Sequence, residues 1–151
     1  MDRGPVGGLV RGFAYATRHR ERPAYDWTVE TAVYVDSAWR GLGLGRAAMT
    51  ALLAILRAQG FQLAVAAITP PNEGSVALHR ALGFERIGLF EAIGWKSGSW
   101  HGVEWFGLEL GERPGTPPPV RPLRELRGTG ILGELLPGEP IAAHAADVQP
   151  V

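Results

Sequence analysis

The segment Arg40-Gly-Leu-Gly-Leu-Gly-Arg46 constrains this chain more than any other. It sets glycine at 41, 43 and 45 between a run that alternates like a strand and a run that repeats like a helix. Before it, Val29, Thr31, Val33 and Val35 share one side of a period-two pattern, and Glu30, Ala32 and Tyr34 share the other. After it, Leu44, Ala47, Ala48, Ala51, Leu52, Ile55 and Leu56 recur at three- and four-residue steps. That is the apolar stripe of a helix running to about Gln59, with Gly60 placed for a left-handed cap. Glycines remove side chains from the bend, so consecutive N–H groups can share one concavity. The opening helix adds its free N–H groups and positive dipole end, and Arg40 and Arg46 flank the bend. A pyrophosphate suits such a nest, and a plain strand-to-helix connection would use the same residues. No Lys-Ser/Thr follows, so the bend is not a Walker loop, and Arg46-Ala-Ala after Gly45 does not fit GxGxxG.

The rest of the chain reads around this unit. Leu9 to Thr17 predicts a strand, and Arg18 to Pro23 a charged turn. Leu63 to Ile68 is short and uninterruptedly apolar, as in a strand buried on both faces. Pro70-Pro71 stops it, and Asn72 is a suitable N-cap for a helix from Glu73 to about Leu82. Phe84 to Ile93 and Val103 to Leu110 predict two last strands, joined through Gly94 to Gly102 as a hairpin with a long loop. Eight of the 12 prolines lie at or beyond Pro114. The expected division is therefore a domain over 1–111 and a Pro-rich, extended, flexible tail over 112–151, with a short amphipathic turn at Arg121 to Leu126.

Composition narrows the function classes. Lys plus Arg equals Asp plus Glu at 15 each, so no positive excess points to nucleic acid. With no cysteine, disulfides, thiolate metal sites and a Cys nucleophile are excluded, and four scattered histidines show no metal-ligand spacing. No apolar run approaches a bilayer span, and no signal peptide is read at Met1 to Pro5, so the expected partners include no membrane and the expected compartment is cytoplasmic.

A few residues carry candidate chemistry. Glu30 stands in an apolar strand, where a carboxylate must face water, a partner or a site. It reads as a solvated cleft residue or as a general base. His79 follows Ser75 by four residues, so the two share a helix face. A lone helical histidine also reads as simple packing. Arg18 to Tyr25 reads as a solvated turn or as arginines that bind a carboxylate. Trp95, Lys96, Trp100 and Trp105 read as packing or as a pocket wall.

Taken together these residues resemble the GNAT acetyltransferase superfamily. The resemblance rests on Val33-Tyr-Val35-Asp, Arg40-x-x-Gly43-x-Gly45 opening a helix, Asn72-x-x-Ser75, and Leu82-Gly-Phe84. Arg22-Pro-Ala-Tyr25-Asp-Trp-Thr-Val-Glu30, Ser75-Val-Ala-Leu-His79 and Gly94-x-Lys96-x-Gly98-x-Trp100 are similar to its phosphinothricin and methionine sulfoximine branch. The likeness runs from Leu9 to Leu110. It implies an α+β fold of three-layer α/β/α type, with a mixed, mostly antiparallel sheet splayed between this chain's second and third strands. It implies acetyl-CoA as co-substrate, no metal, a small-molecule amine as partner, and a homodimer among the expected assemblies. Val33, Tyr34 and Val35 would bond the pantetheine arm, and Arg40, Gly41, Leu42, Gly43, Leu44, Gly45 and Arg46 the pyrophosphate. Asn72 and Ser75 would lie on the cofactor, with Asn72 near the thioester. Glu30 would deprotonate the amine, and His79, where many members carry Tyr, would protonate the leaving thiolate. Arg20, Arg22, Tyr25 and Glu30 would bind the amino-acid-like acceptor. The family's opening strand and two helices have no counterpart before Leu9, so the domain is expected to be N-terminally truncated, with one sheet face exposed. Gly102 stands where the branch usually carries an acidic residue. Two other readings stay open: a catalytically impaired CoA-binding or interaction fragment, and a nucleotide-binding module using the same glycine bend.

Overall fold

The computed structural model describes residues 11–127 and 129–135. Five strands form one sheet: β1 Gly12–Arg18, β2 Thr28–Val35, β3 Leu63–Ile68, β4 Glu85–Lys96 and β5 Ser99–Glu109. Two longer helices, α1 Leu44–Gln59 and α2 Glu73–Ala81, and two short ones, α3 Leu123–Arg127 and α4 Ile131–Leu135, complete the fold. Leu9 and Val10, the expected start of β1, fall outside the described residues.

The strand order is β1-β2-β3-β5-β4. β2 and β3 are parallel neighbours, and the other three pairings are antiparallel. The sheet is thus mixed and mostly antiparallel. The parallel ladder is short, running from Thr28↔Leu63 to Glu30↔Val65. β2 continues to Val35 on β1, and β3 continues to Ile68 on β5. The two strands therefore separate beyond Glu30, and the β3-facing backbone groups of β2 open into the gap.

The period-two pattern of β2 sorts its faces as the residues demand. Val29 and Thr31 are buried, whereas Tyr34 is half exposed. Val29, with Ala14 and Ala16 of β1, joins Met49, Leu52, Leu53 and Leu56 of α1 and Ala64, Ala66, Ile68, Phe84 and Phe106 in one core. Val76 and Leu82 from the α2 region pack on the same cluster. Among the described residues the helices cover this face. The other face shows Phe13, Tyr15 and Tyr34 to solvent, with Phe13 centroids 6.0 and 5.4 Å from Tyr15 and Tyr34.

Beyond Glu112 the chain runs along the outer side of α1. Trp27 Nε1–H donates to the Pro118 carbonyl at 2.8 Å. Gln59 and Arg121 exchange two bonds, Arg121 N–H to the Gln59 carbonyl at 2.8 Å and Gln59 Nε2–H to the Arg121 carbonyl at 3.1 Å. Leu123 and Leu126, on the expected amphipathic turn, bury against Ile55. The expectation of an extended, flexible segment rested on proline content, which says nothing about the apolar stripe that Ile55 offers to a returning chain. Residues 136–151 of that segment lie outside the described residues.

The joint between the last two strands differs from the expected long loop. β4 and β5 continue to Lys96↔Ser99 and turn through Ser97 and Gly98 alone. Both have positive φ, 52° and 78°, the conformation of a tight two-residue hairpin turn. Trp95 and Trp100 pair across it at 5.5 Å.

Candidate active site

The gap between β2 and β3 is a cleft of about 270 Å³. Thr31, Ala32 and Val33 line one side, Ala66, Ala67, Ile68 and Thr69 the other, and Asn72, Ser75 and His79 of the α2 region close it. Val33, Asn72, Ser75 and His79 were expected here from sequence. Thr31, Ala32 and the β3 residues were not named, because small apolar residues carry no chemical signal until the point where the ladder parts is known.

The glycine bend stands at the far end of β2. Gly41 and Gly43 have φ of 80° and 77°, and Gly43 is the N-cap of α1 without any side-chain acceptor on the first N–H groups. Those donors remain for a ligand or water. Gly45 has another task. A Cβ there would stand 3.3 Å from Val35 Cγ2 and 3.4 Å from Leu78 Cδ2, so its bareness lets α1 start against β2 and α2. Arg40, Gly41, Leu42 and Arg46 are exposed, and Leu44 is partly so. Asp36 accepts from Ala38 N–H at 2.9 Å, and the Arg11 guanidinium lies 4.1 Å over the Trp39 ring, tying the bend to the sheet. The Tyr34 side chain turns to the open face beside Phe13, leaving only its backbone for the cleft. Val35 contributes the methyl under Gly45.

Asn72 caps α2, its Oδ1 accepting from Ser75 N–H at 3.1 Å. The Asn72 amide N–H groups are thereby left to donate into the cleft. His79 is buried, edge-on to Phe84 at 5.0 Å. Its Nδ1–H donates to the Ser75 carbonyl at 2.8 Å, with Ser75 Oγ at 3.4 Å. Its Nε2 is buried and has no partner among the described residues. Burial lowers the His79 pKa, and the hydrogen bond to Ser75 offsets this in part. The ring is therefore neutral at pH 7 with its proton on Nδ1, and Nε2 presents a lone pair. A neutral histidine must charge as pH falls, so its contribution to stability is present above 6.5 and is lost as pH drops through the folded value. His79→Asn keeps a donor to Ser75 and removes that titration. In melts at pH 7.5 and 5.5 it should lose less stability on acidification than the parent.

Glu30 lies at the fork, on the last residue of β2 paired with β3, and is one-third exposed. Its Oε2 accepts from His19 Nδ1–H at 3.4 Å. His19 is edge-on to Tyr25 at 6.2 Å and to Trp105 at 6.1 Å. Arg20 and Arg22 sit on the exposed loop that carries Tyr25, and among the described residues no hydrogen bond or ion pair joins them to Glu30. From sequence His19 reads only as part of the charged run Arg18 to Tyr25, with no role of its own. Trp105 registers against Ala67, a cleft residue. Among the described residues no His, Cys, Asp and Glu cluster could hold a metal, and no helix is long and apolar enough to cross a membrane.

Known proteins share this fold. The model of the acetyltransferase (GNAT) family matches residues 5–84. The chain is 46% identical over 121 residues to a phosphinothricin N-acetyltransferase of Streptomyces viridochromogenes, covering 80% of this chain and 66% of that protein. It is 40% identical over 105 residues to an L-methionine sulfoximine/L-methionine sulfone acetyltransferase of Pseudomonas paraeruginosa, covering 70% and 61%. A phosphinothricin acetyltransferase from Sinorhizobium meliloti, solved in complex with AcCoA, superposes with a TM-score of 0.68 at 41% identity, covering 74% of this chain and 60% of that one. The chain thus spans under two thirds of the length of these relatives.

Proposed function

Because this chain belongs to the GNAT acetyltransferase family, we propose that it moves the acetyl group of acetyl-CoA onto the amine of a small amino-acid-like acceptor, of the phosphinothricin or methionine sulfoximine/sulfone type. The observation that carries this reading is the β2–β3 cleft, with an uncapped glycine bend at one end and Glu30 at the other. The residues fit a long anionic thioester: a nest without a protein acceptor, a strand edge without a partner strand, and a buried nitrogen without a hydrogen-bond partner.

Acetyl-CoA supplies an acetyl group activated as a thioester. Arg40 to Arg46 hold its pyrophosphate by N–H groups and guanidinium charge. Free backbone groups of Val33 to Val35 receive the pantetheine arm, and Asn72 and Ser75 fix its end. A backbone N–H near Val33 stabilises the developing oxyanion. Arg20, Arg22 and Tyr25 bind the acceptor. Glu30 takes the first proton from its ammonium, freeing the lone pair that forms the N–C bond. The role of His79 follows from its tautomer. Donation to the thiolate was expected, but Nδ1–H is held by Ser75 and Nε2 is unprotonated. Nε2 therefore first accepts the second proton from the attacking nitrogen. It then returns that proton to sulfur as the C–S bond breaks.

The same reading places the protein in the cytoplasm, where acetyl-CoA is used, and favours a homodimer. β4 is exposed along nearly its whole length, with Ile87, Leu89, Phe90, Ile93 and Trp95 open to solvent. Contiguous apolar surface on an edge strand marks an interaction site.

Acetyl-CoA at about a hundred times its Kd should stabilise the chain by about 2.7 kcal/mol, raising Tm by roughly 5–10 °C. Gly43→Val, which forces a β-branched residue into φ of 77°, should abolish the shift. No shift in the parent protein would sink acetyl-CoA binding. A second reading, CoA binding without turnover, is favoured by the aromatic open face of Phe13, Tyr15 and Tyr34. A melting shift without thiol release on methionine sulfone or phosphinothricin would establish it instead.

A further inference from the structure

His19 and Trp105, beside Glu30, have no part in the chemistry above. We propose that His19 is a positioning residue for Glu30, holding one carboxylate oxygen so that the other faces the acceptor amine. The proposal rests on the acetyl transfer argued above.

His19 directly follows the last residue of β1, which registers against Val29, so the chain delivers it beside Glu30. Its Nδ1 lies 3.4 Å from Glu30 Oε2, and the two side chains are only 24% and 33% exposed. The ring has little freedom. Tyr25 meets it edge-on at 86° and Trp105 at 81°, one from the β1–β2 loop and one from β5. Of the neighbouring charges, Arg18 and Asp26 are committed to each other. Arg18 donates to Asp26 at 2.9 Å and to the Glu21 carbonyl at 3.1 Å, which closes the loop behind His19 and occupies Asp26. Glu30 is the carboxylate that the imidazole meets.

The cluster borders the cleft on both strands. Thr31 and Ala32 follow Glu30 and line it, and Trp105 registers against the lining residue Ala67. A separate observation marks this wall as incomplete. The Trp105 Nε1–H is buried and has no acceptor among the described residues. A buried donor without a partner is costly, and an acceptor oxygen entering beside Glu30 would satisfy it. A general base works only when held in line with the proton it takes, and displacement by about 1 Å costs on the order of a hundredfold. A clamped imidazole that donates to one carboxylate oxygen supplies that restraint.

Two measurements test this. At neutral pH, long-range proton–nitrogen NMR should find the His19 proton on Nδ1, and Glu30→Ala should move the ring-nitrogen shifts of His19. A His19 with its proton on Nε2, indifferent to Glu30→Ala, overturns the proposal whether or not the chain turns over. In kinetics, His19→Phe keeps the ring packing and removes the donor. It should lower kcat about tenfold and leave KM for acetyl-CoA within about twofold, while His19→Asn, with an amide nitrogen near the Nδ1 position, restores most of the rate. In a Glu30→Gln background, His19→Phe should cost less than about twofold, because the carboxylate base that His19 orients is already gone. A tenfold loss in both backgrounds overturns the proposal. Absence of thiol release from the parent protein would instead sink the acetyl transfer, and the NMR result would still decide the His19–Glu30 bond.

Discussion

Glu30→Gln should lower kcat by about two to three orders of magnitude, the range lost when a positioned general base is removed. That corresponds to about 3–4 kcal/mol of barrier. The change keeps the size and planarity of the side chain and its ability to accept from His19 Nδ1–H, so the geometry at the fork survives. What is lost is a group able to take a proton from an ammonium. Acetyl-CoA affinity should stay within about twofold, since the glycine bend lies beyond Val35, at the other end of β2 from Glu30. Stability should change little, because Glu30 is one-third exposed and its contact with His19 is long at 3.4 Å. Steady-state thiol release and calorimetric titration with acetyl-CoA separate these effects. Equal turnover in the variant would remove Glu30 from the mechanism, and a matching loss of acetyl-CoA affinity would make it a binding residue instead.

Phe106→Ala should cost about 3–5 kcal/mol of folding stability, the usual range for emptying a fully buried aromatic position. Phe106 is completely buried, on the inner strand β5, in register with Ala66 on one side and Arg86 on the other. It packs in the same cluster as Met49, Leu52 and Phe84. Domains are stable by only about 5–15 kcal/mol, so the loss is a large share of the total. The effect should reach the site, because Ala66 opposite Phe106 lines the cleft. Denaturant unfolding should show a lower midpoint, and the acetyl-CoA melting shift should shrink as the cleft wall loosens. An unchanged midpoint would mean that the core lies elsewhere.

Much of the fold was legible because its elements are set by local periodicity. The alternation over Val29 to Val35 and the stripe from Leu44 to Leu56 name a strand and a helix without knowledge of anything distant. β3 and α1 stand where the pattern placed them. Asn72 was readable as a cap because an N-cap bond spans only three residues. The hairpin turn could also have been read: Ser97-Gly98 lies between alternating runs, and that dipeptide is itself a turn signal. The tryptophans and glycines around it drew attention to a loop instead. The register shift between Phe90 and Gly94, with Ala92 at φ of 47°, carries no comparable local signal.

The site divides in the same way. His79 could be singled out from its spacing to Ser75, but its tautomer depends on which carbonyl Nδ1 meets and on the burial that Phe84 and the sheet impose. Trp105 could be read as packing or a pocket wall, but its meeting with His19 could not, since only the β1–β2 loop folding back onto β5 brings the two together. By itself the sequence determined the strand–bend–helix unit at Arg40 to Arg46, the order of elements, and the residue types able to do chemistry. Tertiary structure alone decided that the parallel ladder stops at Glu30↔Val65, and so where the cleft begins and which carboxylate stands at its mouth. Backbone periodicity is a property of neighbours in the chain. The end of a ladder is a balance between β1, β3 and β5 competing for two strands, and no single segment encodes it.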